Sequence, residues 1–193
     1  MVKGVSCKGV FMKVSVFEYM NQKHEGQFRK DGITPYSIHP HDVSVQVAKI
    51  SDSETLFHTA LLHDIVEDTD TTITEIRENF GAEIAYLVAE LTKDNEERER
   101  LKISKKEYTL YMMVKMSNDA LIVKLSDRLV NIKDLVNQND KEFTKYYLEN
   151  TSFIMQNLER KRIKEGRDMF EIHRLLVNEI ITLTKQYETH SYE

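Results

Sequence analysis

The sequence predicts an all-α protein, and three observations carry that prediction. Pro35 and Pro40 are the only prolines, and they stand five residues apart in one stretch. Glycine is scarce, with six in 193 residues, so helix breakers are few. Strict apolar–polar alternation of Val, Ile and Thr, the mark of half-buried strands, is nearly absent.

The elements follow in order. Residues 12–25 read as a first helix, because Val14, Phe17 and Met20 recur at helical spacing. The stretch GQFRKDGITPYSIHP, residues 26–40, holds both prolines and two of the six glycines, which makes it a loop. A second helix is expected from about residue 41 to 50. Ser51-Asp52-Ser53-Glu54 reads as a capping box opening a third helix, and Thr72-Ile73-Thr74-Glu75 as another opening a fourth. That fourth helix should stop near Phe80-Gly81. Further helices are expected over 82–92, 105–116, 119–137, 142–160 and 167–187, with the polar run 93–106 a solvated connection or a frayed helix. No repeat or linker divides the chain, so residues 1–193 are expected to form a single domain, with 1–11 a ragged extension.

Bulk composition excludes several function classes. The formal net charge of −5 leaves no global basic field for nucleic acid. No apolar run is long enough to span a bilayer, so no membrane partner is expected. Cys7 is the only cysteine, which fits a reducing, cytoplasmic compartment. The N-terminal segment lacks the continuous apolar core of a signal peptide. No assembly state is read from the sequence.

The stretch LLHDIVEDTD, residues 61–70, sets four ionisable side chains among core residues. On a helix wheel with His63 at zero, Glu67 falls near about 40°, Asp64 near about 100° and Asp68 near about 140°. Leu61, Leu62, Ile65 and Val66 take the other arc. Ala60 falls inside the ionisable wedge and leaves room for an ion. Carboxylates this close to one imidazole repel each other, and a cation relieves that repulsion. The plainer alternative is a solvated acidic face. In VKLSDRLVNIKDL the core stripe is Leu125, Leu129, Ile132 and Val136, while Lys124, Asp127, Asn131 and Asp134 share the other side. His39, locked by Pro40, completes a mixed imidazole–carboxylate set of His39, His63, Asp64 and Asp127. Such a set suits Mn²⁺, Fe²⁺, Mg²⁺ or Zn²⁺ without selecting among them. Four protein donors on a six-coordinate ion leave positions for water and substrate.

Four blocks in this order resemble the HD-domain phosphohydrolases, and more closely the hydrolase domain of the RelA/SpoT family: HEGQFRKDGITPYSIHP (24–40), ALLHDIVEDTD (60–70), FGAEIAYLVAELTK (80–93) and IVKLSDRLVNIKDL (122–135). The resemblance implies an HD-type helical bundle with one metal site between helices. It implies His39, His63, Asp64 and Asp127 as ligands, with Mn²⁺ the usual ion. Glu67 and Asp68 match the catalytic Glu-Asp pair. Arg29, Lys30, Asn131 and, on thinner similarity, Tyr147 match substrate contacts. The implied reaction removes the 3′-pyrophosphate of the small-molecule nucleotide (p)ppGpp, giving GDP or GTP and pyrophosphate, as in small stand-alone alarmone hydrolases. Two alternatives stand beside it: an HD phosphatase acting on another nucleotide, such as NADPH or a deoxynucleotide, and a catalytically silent alarmone-binding module. The chain departs from the family pattern at Ser126, where Ala is usual, at Val130, where His or Tyr is common, and in a loop one residue longer between Lys30 and Pro35. The pair His41-Asp42, just after His39-Pro40, matches no ligand of the family and is read as helix-start surface.

Overall fold

The computed structural model describes residues 14–135 and 140–190, with side chains as far as 187. The expected helix start at Met12, the 1–11 extension, the core position Val136 and the helix end at 137 lie outside the described residues. Among the described residues the structure is helical, with one isolated antiparallel bridge between Phe28 and Pro35 and no strand.

Helix α1 (Val16–Lys23) opens on a capping box, Ser15 with Glu18, and buries Val16, Tyr19 and Met20. The loop that follows is pinned at both ends. Arg29 donates its backbone N–H to Thr34 at 2.8 Å, and Tyr36 donates its own to Gln27 at 2.9 Å. Asp31 accepts the Ile33 and Thr34 N–H groups, each at 2.9 Å, and the Thr34 hydroxyl at 2.6 Å. The reversal needs Gly32 at φ 70°.

Helix α2 (Ile38–Ala48) begins three residues before the expected start. His39 and Pro40 therefore belong to its first turn, not to the loop. Proline is tolerated there because the first N–H groups of a helix have no intrahelical acceptor. Helix α3 (Glu54–Leu62) is capped by Ser53, whose hydroxyl accepts the Leu56 N–H at 3.3 Å. Ser51 does not cap it; its hydroxyl accepts the Ser53 N–H at 3.2 Å. The continuous helix expected through residues 61–70 is broken: α3 ends at Leu62, and a short α4 (Ile65–Asp68) follows a His63–Asp64 turn.

Helices α5 (Ile73–Phe80) and α6 (Ala82–Leu91) meet at Gly81, which adopts φ 98°. The run 93–106 contains a formed helix, α7 (Asn95–Leu101), that buries no residue. Helix α8 (Lys105–Lys115) leads into α9 (Asn118–Asp134), α10 (Lys141–Lys164) and α11 (Glu171–His190).

Helix α9 is the axis of the bundle. It packs against α2, α3, α6 and α11, and every residue from Ala120 to Val130 is buried. The side holding Lys124 and Asp127 is thus interior, not a solvated face. Leu121, Leu125, Leu129 and Ile132 anchor the larger core, and truncating one to Ala costs about 2–5 kcal/mol. A smaller core of α1, α3, α4, α5 and α6 residues, Leu61, Leu62 and Ile65 among them, supports the His63–Asp64 turn.

The α8–α9 junction is held by Arg162 of α10, which is 1% exposed. Its guanidinium donates to the carbonyls of Met113 and Met116, each at 2.9 Å, and to Asn118 Oδ1 at 2.8 Å. These are carbonyls left open at a helix C-terminus, where a cation is also favoured by the helix dipole. His173 of α11 packs beside it, accepting the Phe170 N–H on Nδ1 and donating from Nε2 to the Asn118 carbonyl at 2.9 Å.

Candidate metal centre

Three elements converge: the first turn of α2, the α3–α4 turn and the middle of α9. Donor atoms of His39, His63 and Asp64 lie within 4.8 Å of one another. His39 Nε2 is 3.2 Å from Asp127 Oδ1 and 3.7 Å from Asp64 Oδ2. His63 Nε2 is 3.0 Å from Asp64 Oδ2 and 3.7 Å from Asp127 Oδ1. The two rings are 5.3 Å apart.

The imidazole of His63 is oriented from behind. Its Nδ1 lies 2.7 Å from the carbonyl oxygen of Ala60. A carbonyl only accepts, so Nδ1 carries the proton and Nε2 faces the cluster. That Nε2 is buried and, despite its closeness to Asp64, makes no hydrogen bond of acceptable angle. His63 Nε2, His39 Nε2 and Asp64 thus offer donor atoms close enough to share one ion.

The carboxylates are fixed in turn. Asp127 Oδ2 accepts the Lys124 ammonium at 2.9 Å, and Oδ1 accepts the Asn131 side-chain amide. Asp64 Oδ2 accepts the Tyr36 hydroxyl at 2.9 Å. Burial raises the Tyr36 phenol, and the charges of Asp64 and Asp68 raise it further, so it remains a donor. Burial disfavours charge on His63, yet Asp64 and Asp127 outweigh it and push the imidazole up to about 10. Burial likewise opposes ionisation of Asp127, but Lys124 and the two histidines hold it well below the carboxylate range. The pocket thus favours positive charge at its centre, and this donor set fits a divalent cation.

Glu67 and Asp68 lie on the next turn. Lys93 donates its backbone N–H at 2.8 Å and its ammonium at 2.7 Å to the Glu67 carboxylate. Asp68 is exposed, and its backbone carbonyl accepts the Gln27 amide at 2.8 Å.

The four expected substrate contacts line one cavity of about 270 Å³: Arg29, Lys30, Asn131 and Tyr147, joined by Tyr36 and Phe143. Arg29 donates to Asp134 Oδ2 at 2.7 Å and reaches Asn131 Oδ1 at 3.5 Å. The Lys30 ammonium lies over the Phe143 ring, 2.9 Å from its centroid. Arg128, next to Asp127 in the chain, donates to Thr151 Oγ1 at 2.7 Å. His41 and Asp42 are exposed and 3.4 Å apart, away from the cluster.

Sequence reasoning missed Tyr36 and Lys93. Tyr36 stands three residues before His39 in the same quoted block, so its spacing was available. Lys93 sits 26 residues from Glu67, and only the packing of α4 near the end of α6 brings them together.

Comparisons with known proteins identify the family. A model described as "HD domain" matches residues 17–161. The chain is 40% identical over 120 residues to the guanosine-3′,5′-bis(diphosphate) 3′-pyrophosphohydrolase of Aquifex aeolicus, covering 62% of this chain and 17% of that one. It is 40% identical over 126 residues to the human guanosine-3′,5′-bis(diphosphate) 3′-pyrophosphohydrolase MESH1, covering 61% of this chain and 66% of that one. The chain therefore spans less than two thirds of either relative. A solved structure of a metazoan orthologue of SpoT, which hydrolyses ppGpp and plays a role in starvation responses, matches with TM-score 0.69 at 29% identity, covering 86% of this chain and 92% of that one. With the match spanning most of its length, and the paired His63-Asp64 at the centre of the cluster, this chain belongs to the HD-domain family.

Proposed function

We propose that this chain is a (p)ppGpp 3′-pyrophosphohydrolase, dependent on a divalent metal, Mn²⁺ above others, and formed by residues 1–193 as one domain. The observation that carries the reading is the convergence of His39, His63, Asp64 and Asp127 beside the cavity that Arg29, Lys30, Asn131 and Tyr147 share. The names of the Aquifex and human relatives supply the substrate class. A reducing, cytoplasmic setting, with a small-molecule nucleotide as partner and no nucleic acid, follows from the composition.

In this reading His39, His63, Asp64 and Asp127 hold the ion. Bound there, a divalent cation supplies Lewis acidity, acidifying water and offsetting phosphoryl charge. The residues of the chain do the rest. Tyr36, Lys124 and Asn131 hold the carboxylates in place. Glu67 accepts a proton from the attacking water. Water oxygen bonds to phosphorus as the bond from phosphorus to the ribose 3′ oxygen breaks. Asp68 orients the water or returns a proton to that oxygen. The products are GDP or GTP and pyrophosphate. Arg29 and Lys30 bind the nucleotide, with Asn131 and Tyr147 lining the nucleoside side.

The test is incubation of the purified chain with ppGpp and Mn²⁺, with and without EDTA, separating GDP from pyrophosphate. Appearance of both products only with metal is the expected result. No turnover by folded, metal-loaded protein overturns the substrate assignment.

A further inference from the structure

His24 caps the C-terminus of α1 and is 3% exposed, yet neither the metal cluster nor the nucleotide cavity uses it. Its ring has two neighbours. It packs on the Tyr36 ring, with centroids 4.9 Å apart, and its Nδ1 lies 2.8 Å from Gln27 Oε1. The turn that follows α1 brings Gln27 there, its backbone N–H meeting the His24 carbonyl at 3.1 Å. Gln27 passes the contact on: its Nε2 donates to the backbone carbonyl of Asp68 at 2.8 Å.

The chemistry of these atoms fixes the order of the bonds. The Asp68 carbonyl only accepts, so the amide nitrogen of Gln27 faces it and Oε1 faces His24. Oε1 also only accepts, so His24 Nδ1 carries the proton. His24 Nε2 is buried without a partner, so the side chain spends its polarity on Gln27 alone. A phenyl ring would pack on Tyr36 and leave the Gln27 amide free to turn over. The imidazole adds the one donor that sets it.

The far end of this relay needs an anchor. Helix α4 is four residues long and buries only Ile65. Carbonyls at a helix C-terminus have no intrahelical donor, and Gln27 supplies one to Asp68. A second link joins the same regions, Lys23 to Asp70 at 3.1 Å, but that carboxylate is 88% exposed, and exposed pairs contribute little.

We propose that His24 is a positioning residue for the hydrolytic step: its Nδ1–H sets the Gln27 amide, which holds the Asp68 backbone and so the direction of the Asp68 carboxylate. The inference rests on the role given to Asp68 above.

The experiment measures ppGpp turnover at saturating Mn²⁺, each variant first matched to the parent by far-UV circular dichroism. His24→Phe keeps the ring and removes the donor; kcat should fall about fivefold with KM unchanged, the scale of one hydrogen bond. His24→Asn keeps an N–H in the place of Nδ1 and should recover most of that loss. Gln27→Ala should cost as much as His24→Phe, and the double variant no more than either alone, because both act through one relay. Lys23→Ala should leave kcat unchanged. A parent-like kcat in His24→Phe, a rise in KM in place of the fall in kcat, an Asn variant as slow as Phe, or losses that multiply in the double variant overturn the relay. A second measurement uses neither metal nor nucleotide. In EDTA the carbonyl carbon resonance of Asp68 should move on Gln27→Ala, move the same way on His24→Phe, and return in His24→Asn. A resonance that ignores His24→Phe overturns the relay whether or not ppGpp is the substrate, and a parent without turnover overturns only the substrate assignment.

Discussion

The metal centre around Asp127 and the basic pocket of about 310 Å³ lined by Lys93, Arg98, Lys105, Lys106 and Arg128 treat charge in opposite ways. In the centre each charge is matched. Asp127 meets Lys124, His39 and Asn131, and Asp64 meets Tyr36. In the pocket Arg128 is buried with a hydroxyl and an aromatic ring for company. Matched buried charges make a rigid frame that fails when one member goes. Like charges gathered around one space repel one another, and that repulsion relaxes when one is removed.

Mutations can break or sharpen that contrast. The largest effect is expected at the centre. Asp127→Ala should abolish metal-dependent turnover and also lower stability by about 3–5 kcal/mol, because Lys124 is left buried without its carboxylate. Chemical denaturation checks the second part. Adding Lys124→Met should restore much of the stability and none of the turnover. An Asp127→Ala protein of unchanged stability would show that Lys124 does not depend on it.

Next is Glu67→Gln. Turnover of ppGpp should fall about 10²–10⁴-fold. Metal content by elemental analysis should not change, since Glu67 contacts none of the three clustered donors. An unaltered rate would remove Glu67 from the chemistry. Tyr36→Phe should act through Asp64 and weaken metal affinity about 10–100-fold, read by competition with a metallochromic dye. Retained affinity would mean the phenol serves the loop rather than the ligand.

The smallest effect belongs to the pocket. Lys105→Ala should leave the unfolding free energy within about 0.5 kcal/mol of the parent or raise it slightly, because it relieves repulsion. A clear loss of stability there would mean that the pocket cations hold the fold, and the contrast between the regions would collapse.

Much of this was legible in the sequence, for physical reasons that differ from residue to residue. The helical class followed from where prolines and glycines are absent. His63-Asp64 stood out because carboxylates beside an imidazole among core leucines call for a counter-ion. The wheel drawn through residues 61–70 failed in its geometry, since the Ala60 carbonyl takes the His63 ring N–H and the chain turns at Asp64. A uniform 100° step has no way to register such a break. In α9 the side opposite the core stripe is polar without being solvated, because Lys124 and Asp127 satisfy each other inside the bundle. His39 entered a helix earlier than expected because proline ends most helices but starts some. Contacts such as Lys93 with Glu67 depend on how distant elements pack, and no local pattern encodes them.

The HD-domain match ends at residue 161, and Arg162 is the next residue along. That guanidinium fastens the end of α8 to the start of α9, and α11 packs against α9. The last part of the chain therefore works as a splint for the helix that carries Asp127. A laboratory seeking a minimal catalytic fragment should keep that splint, since cutting where the resemblance fades would unclamp the helix that carries Asp127.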